Sequence, residues 1–250
     1  MNPLENFHKN NIRLCFNRAA LTYDQGSYPQ QIIGNNLIGL ICKYLTSYNT
    51  IIDLGCGTGI ITEQLARCIH YKFFYAIDIS EQLILHAQSR LLPRGINVFT
   101  QDFDQLNFPD ILFDLVFSNM ALHWSGDILS SLQRINHSLA PNGIIACTIP
   151  LTGTFAELPS TSRNEFISLA ELQKQLHTSG LTLLECYSEQ FTFAYSSRLN
   201  ALKSIQATGA NYLFNRKNKS LANKSPMPSA PHKLSYNIGY FIARKIHHVS

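Results

Sequence analysis

The sequence predicts an α/β fold in which helices flank a mostly parallel sheet. Two observations carry that expectation. Short β-branched and aromatic runs alternate with longer helical patterns along most of the chain, the signature of strand-helix repeats. One of these runs, Ile51-Ile52-Asp53-Leu54, passes directly into a glycine-rich turn and then a helical pattern. In chain order, strands are expected near Thr50 to Leu54, Phe73 to Asp78, Ile96 to Thr100, Phe113 to Ser118 and Gly143 to Thr148, with helices between them. Beyond Pro150, Ser168 with Glu171 three residues on is a capping box that opens a helix through His177, and Gly180 stops it. Leu181 to Tyr187 reads as a sixth strand, Ser197 to Ala207 as a helix and Leu234 to Ala243 as a seventh strand. Lys217 to Lys233 is rich in Lys, Asn, Ser and Pro without apolar periodicity, and reads as a mobile surface loop.

With 250 residues, 45% hydrophobic and 14% charged, the chain has apolar surface enough for a sizeable core, so disorder is not the expected state. The start, Met1-Asn2-Pro3-Leu4-Glu5, has no basic segment followed by an apolar run. No stretch approaches the ~18 apolar residues of a membrane span, so a cytoplasmic protein with no membrane partner is expected. The six cysteines (Cys15, Cys42, Cys56, Cys68, Cys147, Cys186) include no C-x-x-C pair, which argues against a zinc site or a disulfide framework. Reduced, mostly buried thiols and no metal are expected. Net charge is +4, yet the last acid is Glu189 and nine Lys and Arg follow it. Eleven Lys and Arg therefore stand against sixteen Asp and Glu before that point. Such asymmetry points to an acidic partner or substrate, or else to a solvated basic face.

The chemistry concentrates at Gly55, Gly57 and Gly59, three glycines at alternate positions after the first strand. They let backbone approach a ligand closely, and the next helix offers free N–H groups to an anionic or carboxylate group. A dinucleotide fingerprint would need its third glycine at position 60, which is Ile60. Asp53, at the mouth of the strand, would repel a pyrophosphate but suits the cationic amino end of S-adenosylmethionine. Asp78 ends the next strand, 19 positions after Gly59, where it can accept bonds from both ribose hydroxyls or merely cap the helix opening at Ser80 or Glu81. Asp102 can accept the exocyclic amine of adenine while the Phe103 N–H addresses a ring nitrogen; an exposed loop Asp is the alternative. Ile79, beside Asp78, and Asn119, just after the fourth strand, complete the candidate cofactor set.

Over Thr50 to Pro150 this pattern resembles the class I S-adenosylmethionine-dependent methyltransferases, which implies a Rossmann-like fold with seven strands. The flanks resemble one family within that class. Phe16-Asn17-Arg18-Ala19-Ala20-Leu21-Thr22-Tyr23, followed by Gln30, is similar to the F-x-R-A-A-x-x-Y start of the malonyl-acyl carrier protein O-methyltransferases of biotin synthesis, the BioC family. Ser118-Asn119-Met120-Ala121-Leu122-His123-Trp124 is similar to its S-N-x-A-x-x-W, Ala207 to Asn211 to its late G-x-G-A segment, and Leu234-Ser235-Tyr236 to its last strand. The resemblance implies one domain over residues 1–250: N-terminal lid helices in 1–45, a cofactor-binding core in 50–150, and substrate-side helices with the last strands in 151–250.

It also implies a reaction, methylation of the free carboxylate of a malonyl thioester to its methyl ester, with S-adenosylhomocysteine as the other product. A carboxylate is already ionised at neutral pH, so no acid-base catalyst is nominated. Tyr23 and Gln30 are candidates for closing the site over the cofactor. Arg18 is a candidate to hold the acceptor carboxylate by a bidentate pair, or else a surface ion pair. Trp124 and His123 are candidates for the pocket wall, with a core role for Trp124 as the alternative. The stretch Leu151 to Phe166 is shorter than in some relatives, so no substrate-binding arginine is assigned there and only Arg163 is noted. The carrier is acyl carrier protein or coenzyme A, and an acidic carrier protein would dock on Arg198, Lys203, Arg216 and Lys217. The rival readings are a methyltransferase of another small molecule or of RNA, and a non-catalytic assembly factor on the same fold. Against RNA, the basic stretch lacks dense alternation of aromatics with Lys and Arg.

Overall fold

The computed structural model describes residues 3–106, 108–214 and 233–246. Three helices lead the chain: α1 (Pro3–Ala19), α2 (Tyr23–Gly26) and α3 (Tyr28–Ile41). Strands and helices then alternate as β1 (Ser47–Leu54), α4 (Ile60–Cys68), β2 (His70–Asp78), α5 (Glu81–Leu91), β3 (Asn97–Thr100), β4 (Phe113–Asn119), α6 (Ile128–Ser138) and β5 (Leu139–Pro150). The remaining elements are α7 (Leu169–Thr178), β6 (Leu181–Ala194), α8 (Arg198–Ala207) and β7 (Lys233–Lys245).

The seven strands form one sheet in the order β3-β2-β1-β4-β5-β7-β6. Pairing is parallel from β3 through β5, and β7 is antiparallel to both β5 and β6. Both faces of the sheet are covered, which explains why β1 reads as a continuous apolar run rather than an alternating one. Ile51 packs on one face with Leu37 of α3, Leu65 of α4 and Ala87 of α5. Its neighbour Ile52 packs on the other with Ile12 of α1, Leu132 of α6 and Leu176 of α7. Local signals set several helix ends: the Ser80 side chain caps α5 by accepting from Leu83 N–H, and Ser168 caps α7 by accepting from Glu171 N–H. Gly180, at φ 81°, turns the chain out of α7.

The parallel register carries the functional consequence. Asp53 pairs with Ala76 and Phe117, and Asp78 with Thr100, so the C-terminal ends of β1 to β4 arrive at one edge of the sheet. Strand order reverses between β1 and β4. The crevice outside the strand ends at such a switch point is where α/β sheets bind ligands.

Two expectations need correction, and a third falls outside what is described. β6 runs on to Ala194, well past Tyr187, because the whole segment ladders against β7, from Leu181 opposite Lys245 to Ala194 opposite Lys233. Exposed Ser188, Glu189 and Gln190 hide that continuation from any apolar pattern. The cysteines are all free, but only Cys56 and Cys147 are buried, and Cys68 is exposed. The loop expected over Lys217 to Lys233 lies outside the described residues up to Lys233, which begins β7. Among the described residues no helix is long and apolar enough to cross a membrane.

Candidate functional site

The turn after β1 is held in a conformation that only glycine adopts without strain. Gly55, Gly57 and Gly59 have φ of 78°, 57° and 82°. At Gly55 a Cβ would sit 2.3 Å from the Cβ of Ala121, and at Gly57 it would lie 3.1 Å from the Tyr23 hydroxyl. The missing side chain at Gly57 is therefore what allows the N-terminal segment to approach the loop. Gly55 faces the large cavity described below, whereas Gly57 packs against Tyr23 and Gly59 precedes α4 against Leu91.

Two buried carboxylates flank this turn. Asp53 accepts a 2.6 Å bond from the Thr62 hydroxyl of α4. Asp78 accepts from Gly57 N–H and from Ser80 N–H, each at 2.9 Å. It thus fastens the loop to the start of α5 as well as facing the cavity. Burial pushes the Asp53 carboxyl up to about 7; the Thr62 bond pulls it back only in part, and the Asp78 charge adds to the rise. Burial likewise raises Asp78, to about 6, against the pull of the Ser80, Gly57 and Ile79 N–H groups. Two uncompensated carboxylates facing buried space suit a ligand bearing positive charge and hydroxyl donors.

Asp102 is not an exposed loop residue. Lys9 of α1 pairs with it at 3.0 Å and with Asp104 at 2.8 Å, with the ammonium also over the Phe103 ring at 4.5 Å. Burial pushes the Asp104 carboxyl up, but Lys9, the Ser131 hydroxyl and Gly126 N–H outweigh it and hold the group below the usual range. The short helix α2 is tied as firmly. Asp24 of α2 accepts from the Thr58 hydroxyl of the glycine turn at 2.5 Å and from Arg90 of α5 at 2.9 Å. Between these ties, Arg13 pairs with Glu81 and Asn17 bonds Ser80 and Glu81. None of Lys9, Asp24, Arg90 or Asp104 was singled out by the sequence, because each finds its principal partners dozens of positions away.

A cavity of about 510 Å³ lies against α1 and α2. It is lined by Gly55, Asp78, Ile79, Asp102, Phe103 and Asn119, by α1 with Tyr23 and Gln30, and by His123, Trp124, Arg163, Phe166 and Ile205. A small side cavity joins Asp53 to Tyr23, Gln30 and Asn119. The Gln30 Oε1 atom is buried there without a hydrogen-bond partner, and so is His123 Nδ1 in the larger cavity. Such orphaned polar atoms fit a site that binds a polar ligand. Burial draws the His123 imidazole down to about 3, so it is neutral at physiological pH. Trp124 is both wall and core: it lines the cavity, is 6% exposed, and stacks edge-on against Phe16 with centroids 5.7 Å apart. Asn119 donates to the Gln30 carbonyl at 3.0 Å and accepts from Thr148 at 2.7 Å. The next residue, Met120, is held at φ 55°, a strained conformation for a side-chain-bearing residue that the sequence did not signal.

Arg18 is corrected. It is exposed and is not among the residues lining the cavity, because α1 turns Ile12, Phe16 and Ala19 inward and Arg18 falls on the opposite face. Arg163, only noted from the sequence, lines the cavity instead. Of the four residues expected to dock a carrier, Arg198 and Lys203 lie on α8, whose Leu202 and Ile205 face the cavity. Arg216 and Lys217 lie outside the described residues.

Residues 52–147 match the methyltransferase domain family. A relative from Coxiella burnetii, malonyl-[acyl-carrier protein] O-methyltransferase 2, is 35% identical over 243 residues, covering 95% of this chain and 97% of its own. The chain belongs to the malonyl-[acyl-carrier protein] O-methyltransferase family. Among solved structures, the YcgJ protein of Bacillus subtilis shares the fold at a TM-score of 0.62 and 13% identity, over 86% of this chain and all of that one. The N-methyltransferase NodS of Bradyrhizobium japonicum, solved with S-adenosyl-L-homocysteine, does so at 0.53 and 18% identity, over 84% of each chain. This methyltransferase thus has the class I fold and uses S-adenosylmethionine as methyl donor.

A pH dependence follows from Asp53 and Asp78. In the ligand-free methyltransferase both carboxyls hold their proton above the ordinary carboxylate range. If the cofactor's ammonium and ribose hydroxyls favour the ionised forms, binding must release protons, and affinity must rise with pH through the folded pKa values. Cofactor affinity is expected to increase about tenfold from pH 6 to pH 7, below the titration of the cofactor's own amino group. Calorimetry in buffers of different ionisation enthalpy would measure the released protons, and Asp53→Asn should flatten the profile.

Proposed function

We propose that this methyltransferase transfers a methyl group to the free carboxylate of a malonyl thioester carried by acyl carrier protein, an early step of biotin synthesis. The observation that carries this reading is the similarity to the Coxiella burnetii relative, which covers 95% of this chain and 97% of that one. In this reading Asp53, with the Gln30 amide beside it, holds the amino-acid end of the cofactor. Asp78 holds the ribose, and Asp102 with the Phe103 backbone holds the adenine. Gly57 and Gly59 shape the loop.

When bound, the cofactor supplies a sulfonium methyl, an electrophile that needs no activation. Held by Asp53, Asp78 and Asp102, the cofactor would give that methyl to the acceptor's carboxylate oxygen, a cation and an anion becoming two neutral groups. Such charge neutralisation is favoured where water is excluded. The chain's part is to align the oxygen and keep the cavity dry, which the Tyr23 phenol and the aromatic wall at Trp124 and Phe166 are placed to do. Burial, with Asp78 and other nearby anionic groups adding to it, keeps the Tyr23 phenol protonated. Neutral His123 forms part of the wall and takes no proton. The carrier and the coenzyme are both soluble, so the cytoplasm is the expected compartment.

The test is a methyl-transfer assay with malonyl-acyl carrier protein and malonyl-coenzyme A side by side, the ester being identified by mass. Turnover of neither would redirect the search to another acceptor. Exposed ion pairs contribute only ~0.2 to 1 kcal/mol each, so the docking surface is tested by reversing Arg198, Lys203, Arg216 and Lys217 to Glu together. The fourfold reversal and raised salt should each lower kcat/KM for the carrier-protein substrate and leave the coenzyme A substrate unchanged.

A further inference from the structure

We propose that the Thr148 hydroxyl is a positioning group for methyl transfer, fixing from behind the cavity wall the Asn119–Met120 corner beside which the sulfonium meets the acceptor. This inference rests on the cofactor placement given above and names the residue that makes the corner rigid.

The corner lies where the two cavities meet. Asn119 lines the large cavity with Asp78 and Asp102, and it also lines the small one with Asp53. With the ribose at Asp78 and the amino-acid end at Asp53, the part of the cofactor between them, which carries the sulfonium, has to pass this corner. Met120 lines the large cavity too, and the corner is pressed against the glycine turn, since a Cβ at Gly55 would meet that of Ala121 at 2.3 Å. Thr148 is fully buried and is not among the residues lining either cavity. It can act only through its neighbours.

Its hydroxyl is used in both directions. Thr148 stands opposite Asn119 in the last pair of the β4–β5 ladder. Met120 N–H donates to the hydroxyl at 3.0 Å and to the Thr148 carbonyl at 3.1 Å. The hydroxyl proton is given in turn to Asn119 Oδ1 at 2.7 Å. With its oxygen so engaged, the Asn119 amide presents its nitrogen the other way, and Nδ2 donates to the Gln30 carbonyl at 3.0 Å. α3 leaves room for that nitrogen because residue 34 is glycine, where a Cβ would lie 2.9 Å from it. One hydroxyl thus sets which way the amide faces and ties the corner to α3. Such ties are needed because Met120 sits at φ 55°, a conformation that persists only where the surroundings over-determine it.

The consequence is kinetic. Asp53, Asp78 and Asp102 belong to β1, β2 and the turn after β3, so loosening the end of β4 leaves the cofactor's main holds intact. What it disturbs is the alignment of the methyl group with the acceptor oxygen, and a misplacement of about 1 Å costs on the order of a hundredfold in rate. Loss of the hydroxyl should therefore appear in kcat rather than in either KM.

The experiment compares the native full-length chain with Thr148→Ser, Thr148→Val and Thr148→Ala. Ser keeps the hydroxyl without the methyl, Val keeps the shape without the hydroxyl, and Ala has neither. Methylation of malonyl-coenzyme A and malonyl-acyl carrier protein is measured per S-adenosylmethionine site, the sites being counted by calorimetry. Thr148→Val and Thr148→Ala should lose roughly ten- to a hundredfold in kcat, with the cofactor Kd and acceptor KM within about threefold of native, and Thr148→Ser should keep a kcat within about threefold. A merely structural role would lower the melting temperature and the number of sites but leave kcat per site unchanged. Hydrogen exchange in the ligand-free chain reads the corner without turnover: the amides from Asn119 to Trp124 should exchange at least about threefold faster in Thr148→Val and Thr148→Ala, and at the native rate in Thr148→Ser. Native kcat per site in Thr148→Val, a loss confined to the cofactor Kd, or unchanged exchange would each overturn the inference. If Thr148→Val does not fold, equal kcat in Thr148→Ser and Thr148→Ala, which differ only by the hydroxyl, overturns it. A native chain that methylates neither thioester would overturn the acceptor assignment instead, and the exchange rates would then decide the role of Thr148.

Discussion

Removal of residues 1–26 is expected to lower methyl transfer by about a hundredfold or more. The cut falls before α3, whose Pro29, Ile33, Leu37 and Ile41 are buried in the core and must stay. It removes the whole of α1 and α2, and with them Tyr23, which packs on Gly57, and the inward row of Ile12 and Phe16. Water would then reach the cavity, leaving an incoming carboxylate solvated and poorly aligned. The cut also removes Lys9 and so strips the cation from Asp102 and Asp104, which should weaken the adenine end. Circular dichroism would establish that the truncated chain is folded, and single-turnover methylation would measure the loss. A second variant, Tyr23→Ala with Asp24→Ala, loosens the same lid without shortening the chain. Native turnover in either folded variant would rule out the closing role.

Asp78→Ala is expected to weaken S-adenosylmethionine binding by ~1.5 to 3 kcal/mol, or about ten- to a hundredfold in Kd, the range for loss of a charge-assisted hydrogen bond. The effect has two sources. The carboxylate is lost as an acceptor for the ribose, and Gly57 N–H loses its 2.9 Å partner, which frees the loop to move. Asp78→Asn separates them, since an amide keeps one acceptor oxygen but cannot serve both neighbouring N–H groups and the ligand. It should be intermediate. Calorimetric titration would decide the matter, and unchanged affinity in Asp78→Ala would remove Asp78 from the site.

Much of the fold was legible because its signals are local. The apolar run at Ile51 to Leu54, the alternate glycines and the cap at Ser168 each act within a few residues, where periodicity and backbone sterics govern. The glycine pattern went further and excluded a dinucleotide through one position, Ile60. Asp53 and Asp78 were readable for the same reason, since an acid ending a parallel strand must lie at the C-terminal edge whatever the rest of the chain does. The end of β6 was not legible, because an edge strand laddered to a neighbour needs no apolar alternation. Arg18 was placed in the site by its motif, yet its direction depends on the helical phase of α1 against the core.

What the sequence by itself determined is the class of fold, the edge of the sheet at which a ligand sits and the chemistry of the cofactor end. The long-range ties around the cavity were decided by tertiary structure alone. Lys9 meets Asp102 across 93 positions of chain, Asp24 meets Arg90 across 66, and Arg163 is presented by a turn at Phe155 that Ser235 and Tyr236 hold in place. No local propensity encodes such contacts. They exist only once β7 has inserted between β5 and β6 and the lid has closed, because ion pairs and strained turns of this kind are stable only where packing has already fixed both partners and excluded the water that would otherwise solvate them.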